Sequence, residues 1–158
     1  MAVDYFLKID GIEGESQDKT HKNEIQLLSF NWGGTQTSSV AYGGGGGAGK
    51  VSLTDFSVVK YYDKASPKLF QALCDGSHIK NCILTARKAG KTQQEYIKLT
   101  LTDILVTSSH VSASDENPTE SVSFSYSQIA TDYRAQNADG TSSTAATMKY
   151  NLKTNSSS

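Results

Sequence analysis

Residues 121–127 read Ser-Val-Ser-Phe-Ser-Tyr-Ser, a strict alternation of hydroxyl and apolar side chains. Successive side chains of a strand point to opposite faces. The stretch therefore predicts a strand that buries Val122, Phe124 and Tyr126 and turns its serines the other way. The same period of two runs outward along the chain. Ile97, Leu99 and Leu101 alternate with Lys98, Thr100 and Thr102, and Leu28, Phe30 and Trp32 alternate with Ser29 and Asn31. Val3, Tyr5, Leu7 and Ile9 alternate with Asp4 and Lys8, while Phe6 shares the polar side. Many such strands joined by short turns predict a mainly β fold of packed antiparallel sheets, a sandwich or a barrel.

Two strands slip phase. Val51 and Leu53 share one face, but Phe56 and Val58 carry the apolar pattern on the other, and Gln128–Ile129 repeats the slip. A slip means a bulge or a change of buried face, or that both faces are covered, one by the core and one by another chain. One helix is predicted after Ser66-Pro67, which supplies an N-cap and a proline at the first helical position. Leu69, Phe70, Leu73 and Cys74 would form its apolar stripe, and Gly76 its stop. Residues 33–49 hold five consecutive glycines and read as a long extended loop, the kind that is usually functional or disordered. Residues 135–147 are small and polar and also read as a loop, and 153–158 as a frayed tail.

A chain of 158 residues predicts a single domain over 1–158. Fifteen Lys and Arg against 16 Asp and Glu leave a net charge of −1, which excludes the generally polybasic surface of a nucleic-acid binder. Two cysteines cannot build a disulfide framework and suit a reducing cytosol. No apolar run approaches the ~20 residues of a membrane span, so no membrane insertion is expected. The opening MAVDYFLKIDG lacks a basic n-region, so no conventional signal peptide is expected either.

Catalytic chemistry finds little support. Gly44-x4-Gly49-Lys50 fits most of a phosphate loop, but Val51 replaces the hydroxyl that would hold Mg²⁺, and a strand pattern follows where a helix N-terminus is needed. Gly90-Lys91-Thr92 lacks the upstream glycine. Cys74, His78 and Cys82 are spaced four apart like metal ligands, yet Cys74 falls on the helix stripe, Cys82 alternates with Leu84 and Ala86, and no fourth ligand stands nearby. His21 and His110 are isolated, and Ser16-x-x-Lys19 lacks companion motifs. No catalytic residue, cofactor or metal is expected. Arg87, Lys88 and Lys91 form a basic cluster that reads as a solvated hairpin end, or else as a contact to Asp63 or Asp75 of a neighbouring chain. A soluble β-barrel module that binds polyanions through this cluster is the alternative from a different class.

MAVDYFLKIDGIEGES, DKTHKNEIQLLSFNWG, GGGGGAGKV, KYYDKASPKL and ARKAGKTQQEY, in that order, resemble the haemolysin-coregulated proteins of type VI secretion systems over about residues 1–134. The resemblance implies two packed sheets forming a barrel-like body with one flanking helix. It implies a homohexameric ring, stacked into a tube like that of a contractile phage tail, so a phage tail tube subunit is the near alternative. Its partners would be further copies of itself, a spike protein, a contractile sheath and small effectors carried in the lumen. Such proteins assemble in the bacterial cytoplasm and leave without a signal peptide. They are not enzymes unless a toxin domain is fused, for which 158 residues leave no length. By the resemblance, Tyr42, Gly43, Gly44, Gly45, Gly46, Gly47, Gly49 and Lys50 belong to a loop that contacts the adjacent subunit or ring. Ser29 and Asn31 are the candidates for the lumen wall, with the Ser121–Ser127 face a weaker one.

Overall fold

A computed structural model describes residues 3–36, 51–89, 93–136 and 142–157. The expected contact loop Tyr42–Lys50, and Lys91 of the basic cluster, lie outside the described residues. The described chain is mainly β, with one short helix and two antiparallel sheets. In chain order the elements are β1 (Val3–Ile9), β2 (Ile25–Leu27), β3 (Ser29–Asn31), β4 (Gly34–Thr35), β5 (Ser52–Leu53), β6 (Phe56–Tyr61), α1 (Ala65–Asp75), β7 (His78–Lys88), β8 (Gln94–Ser112), β9 (Thr119–Ser125), β10 (Gln128–Gln136) and β11 (Ser142–Asn151). The large sheet runs β2-β1-β7-β8-β9-β6-β3, with β10 on β8 and β11 on β10, while β4 and β5 pair separately.

Strand β8 organises the molecule. Its 19 residues would span about 60 Å if straight. It turns instead at Asp103, whose φ of 55° is left-handed. Aspartate enters that region at modest cost because its short polar side chain bonds locally. Here Ser127 donates to Oδ2 of Asp103 at 2.8 Å, and Lys153 donates to the same oxygen at 2.8 Å. Before the turn β8 lies between β7 and β10; after it β9 takes the place of β10, while the β7 ladder runs on only to Leu105. Strands β9 and β10 keep one register across the break at Tyr126–Ser127, since Ser125 faces Leu105 and Gln128 faces Thr102. A second corner falls at Leu28. Strand β2 pairs with β1, β3 pairs with β6, and the Leu28 N–H donates to the Val59 carbonyl at 2.8 Å. The strand order thus begins and ends on neighbouring residues of the same chain stretch.

The two halves share one core. Leu7, Ile25, Leu84, Leu99 and Leu101 from one half meet Phe56, Val58, Val106, Val122 and Phe124 from the other. Tyr5, Phe30, Phe56 and Phe124 form a chain of ring contacts at 5.3, 6.2 and 6.3 Å between centroids.

The phase slips are strand breaks. At Thr54–Asp55 the chain leaves the β4–β5 ladder for β6, and Thr54 Oγ1 ties the break to Gly33, accepting from its N–H at 2.8 Å and donating to its carbonyl at 3.0 Å. The slip at Gln128–Ile129 is the β9–β10 corner. Phe6 is buried on the polar side of β1, under a second small cluster described below.

The helix is shifted from its expected frame. It begins at Ala65, after an N-cap Lys64 whose side chain makes no capping bond, and the Ala65 N–H donates to Asp63 Oδ1 at 3.0 Å. Its buried stripe is Ala65, Ser66, Leu69 and Ala72, whereas Phe70 and Cys74 are exposed. The small alanines let the helix lie close to β8, and that phase turns Phe70 outward. Gly76 ends it at φ 64°, as expected.

Two expected loops are partly strand. Gly34–Thr35 pairs with Ser52–Leu53 at the base of the 33–49 segment, and 135–147 overlaps the β10–β11 hairpin. The tail expected to fray folds back: Asn151 and Ser156 exchange two backbone hydrogen bonds, at 2.8 and 3.2 Å.

Ser66 is not the cap but part of a buried charge network. Lys60, 0% exposed, faces Glu120 in register across β6 and β9 and is ion-paired with it. Its ammonium also donates to Asp63 at 2.8 Å and to Ser66 at 2.8 Å, while the Ser66 hydroxyl donates to Glu120 at 2.5 Å. Removing one member of a buried pair strands the other charge. Lys60→Met is therefore expected to lower unfolding stability by about 3–5 kcal/mol. Lys60→Met combined with Glu120→Gln should recover much of the loss. Urea denaturation followed by Trp32 fluorescence measures both, and a loss below about 1 kcal/mol in the single variant would contradict the network's role.

Candidate functional site

The face of β3, β6, β9 and the second half of β8 that turns away from the core is left uncovered by the described residues. Lateral pairing aligns its side chains in rows. Asn31, Ser57, Ser123 and Ser108 form one row across the four strands, and Ser29, Val59, Ser121 and His110 form the next. Ser57 and Ser123 join side chains at 2.8 Å. The two rows hold no lysine, arginine, aspartate or glutamate. Asn31, Ser29, Ser121 and His110 are exposed; Ser57, Ser123 and Ser108 are half-buried.

The structure thus brings Ser29 and Asn31 together with Ser121, Ser123 and Ser125 on one surface. Ser127 departs from it, because its hydroxyl turns to the Asp103 corner. Sequence reasoning missed Ser57 and Ser108. Ser57 stands between Phe56 and Val58, so alternation alone could have placed it with the other serines. Ser108 follows a register shift between Val106 and Ser108, which resets the phase of β8. A surface of neutral hydroxyls donates and accepts hydrogen bonds without a long-range field, so it stays wetted and does not select a passing molecule by its charge.

The polar residues singled out elsewhere are spent in structure. Arg87 is 3% exposed, not a solvated hairpin end. Its guanidinium donates to Asp18 at 2.6 and 3.0 Å and to Asp4 at 3.3 Å, and lies 4.9 Å from the Phe6 ring centroid. His21 stacks on Phe6, with centroids 4.5 Å apart, and its two ring nitrogens meet Glu24 at 2.8 Å and Glu95 at 2.7 Å. It is not isolated. This cluster covers Phe6 and pins the 16–24 loop to the sheet. Gly14 is part of the fit, since a Cβ there would stand 2.6 Å from the Glu24 carbonyl oxygen. Lys88 lies over Tyr96 at 5.2 Å. The polyanion reading loses Arg87, whose charge is already matched.

Cys74, His78 and Cys82 do not converge. Cys82 is buried in the core, where burial pushes its thiol up to about 12, Cys74 is exposed, and His78 bonds Asp103 at 3.1 Å. Among the described residues no cluster of His, Cys, Asp and Glu is arranged to hold a metal ion. Val51 leads into strand β5, not into a helix.

A family profile described as "Type VI secretion system effector, Hcp" matches residues 6–133. Over 143 residues the chain is 44% identical to protein hcp1 of Pseudomonas aeruginosa, covering 89% of this chain and 88% of the relative. Among solved structures, Hcp1 of Salmonella typhimurium is 38% identical with a TM-score of 0.79, covering 99% of each chain. A structure described as a type six secretion system protein is 26% identical with a TM-score of 0.91, covering 98% of this chain and 99% of its own.

The Arg87 hydrogen bonds hold the Asp18 carboxyl well below the usual carboxylate range. A carboxylate depressed in the folded state contributes stability above its unfolded value, near about 3.9, and loses it as pH falls toward its folded value. The wild type is therefore expected to lose stability more steeply below about pH 5 than Asp18→Asn, while being the more stable of the two at pH 7. Urea midpoints measured from pH 7 to pH 3 test this, and parallel pH profiles for the two proteins would contradict it.

Proposed function

We propose, from the premise that this chain belongs to the Hcp family of type VI secretion proteins, that it is the structural subunit of the secretion tube. Six copies close into a ring, rings stack, and the neutral face carrying Ser29, Asn31, Ser57, Ser121 and Ser123 lines the lumen. The single observation that carries this reading is that face. It is uncovered by the described residues, lies directly behind a well-packed core, and presents hydroxyls where an ordinary surface presents charges. A tube wall that carries varied proteins needs that chemistry, because a charged wall would hold or repel cargo by sign.

The chain acts as one tube-subunit domain and does no catalysis. It assembles in the bacterial cytoplasm and is secreted by sheath contraction. Spike, sheath and small effectors are its partners. Among the described residues no helix is long and apolar enough to cross a membrane. The segment Tyr42–Lys50 contacts the adjacent ring in this reading, which the glycine-rich composition supports, since glycine permits close backbone approach.

Light scattering behind a sizing column tests the ring. Six chains of 17.0 kDa are expected at about 102 kDa, independent of concentration. A 17.0 kDa species at every concentration would overturn the proposal. In the same experiment, bulkier residues at Gly45–Gly47 should leave the ring mass unchanged while reducing sedimentable tubes.

A further inference from the structure

The histidines of this chain are held differently. Both ring nitrogens of His21 meet carboxylates, those of Glu24 and Glu95, and His78 meets Asp103. His110 is exposed and has neither a hydrogen-bond nor an ion-pair partner among the described residues.

It stands on the hydroxyl face. In the β8–β9 ladder His110 is opposite Ser121, with Ser108 opposite Ser123 before it and Ser112 opposite Thr119 after it. Beyond β9 its own row continues to Val59 and Ser29, and the row after it to Tyr61. Imidazole is the side chain whose ordinary charge change falls between about pH 5 and pH 8. His110 is therefore the one member of the two serine rows that can become charged near neutral pH.

The charges around it lie elsewhere. On β6 and β9, Lys60 and Glu120 are on the core face and are paired with each other. Helix α1 joins the core through Ala65, Leu69 and Ala72, so Lys64, Lys68 and Asp75 ride on an element of the opposite face. The β7 ladder ends at Leu105, short of His110. Asp115 and Glu116 are exposed in the turn beyond Ser112, outside the rows.

Resting on the lumen reading, we infer that His110 makes the charge of the lumen wall depend on pH. Near about pH 8 the serine rows are neutral, and cargo passes without selection by sign. Near about pH 5.5 each subunit adds one positive charge, so a closed ring carries six at one level of the wall. Stacked rings repeat that level along the tube. The chemistry this selects is an acidic polypeptide, whose carboxylates are drawn to the wall while ammonium groups are repelled. The neighbouring hydroxyls donate hydrogen bonds to a carboxylate and bring no competing charge.

Full-chain rings and two dye-labelled peptides, hexaglutamate and hexalysine, test this. Fluorescence anisotropy is read at about pH 8 and about pH 5.5 in about 0.01 M salt, where the screening length is about 30 Å. Hexaglutamate is expected to bind about tenfold more tightly at the lower pH, and hexalysine more weakly. His110→Gln should abolish the difference, and His110→Lys should hold hexaglutamate at both pH values. Ser121→Cys, made in a Cys74→Ser chain whose remaining Cys82 is buried, can be capped with a bulky neutral maleimide. The cap should also remove the response, because Ser121 stands opposite His110.

Equal pH responses in the wild type and His110→Gln would overturn the inference, as would a response that survives the cap. Light scattering on the same samples keeps the two readings apart. Rings of about 102 kDa that show no His110-dependent response, or that fall apart at the lower pH, would overturn the inference alone. A wild type of 17.0 kDa at both pH values would overturn the ring reading and the inference with it.

Discussion

The fold depends on a lysine with no access to water. Lys60 sits on the core side of β6 and is held by Glu120 of β9, Asp63 before the helix and Ser66 in its first turn. Taking an ammonium out of water costs several kcal/mol, and the cost is offset only when every donor finds an acceptor. That requirement fixes three elements at once. Strands β6 and β9 must pair with Lys60 opposite Glu120, and α1 must begin where Asp63 and Ser66 reach the same ammonium. Slipping β6 by one residue would carry Lys60 to the open face and Val59 to the core. The pair therefore fixes which side chains of these strands face inward.

The open face follows from that choice. With Phe56, Val58 and Lys60 turned inward, Ser57 and Val59 must turn outward, and their lateral partners Ser121, Ser123, Ser29 and Asn31 turn outward with them. The hydroxyl surface and the core are thus two consequences of one register. The Asp103 and Leu28 corners then bend the sheet so that one core serves both halves, while the hydroxyl rows stay on its reverse. For a tube subunit this separation is useful. In the proposed tube, substitutions at Ser29, Asn31 or Ser121 would change what the lumen presents without touching the side chains that hold the fold.

The strands were legible in the sequence because a period of two survives in short windows such as 97–102 and 121–127. Ser29 and Asn31 were legible for the same reason, since they alternate with Phe30. What was hidden depends on partners far along the chain. Lys60 and Glu120 are 60 residues apart, and Arg87 meets Asp18 across 69, so each reads alone as a solvated charge. The helix phase was misread because Phe70 looks like core and Ala72 does not, whereas close packing on β8 favours the alanine. The β10–β11 hairpin was obscured by small polar residues that build a strand only when a neighbouring strand supplies the ladder. The corner at Asp103 carries no glycine to announce it.

The central claim is that the serine rows face the lumen. The most direct measurement attaches a heavy-atom cluster to Ser121→Cys in the Cys74→Ser chain and images the rings face-on by electron microscopy. The account predicts added density inside the central hole, at its wall, on each subunit. Added density at the outer perimeter, or between subunits, would contradict it.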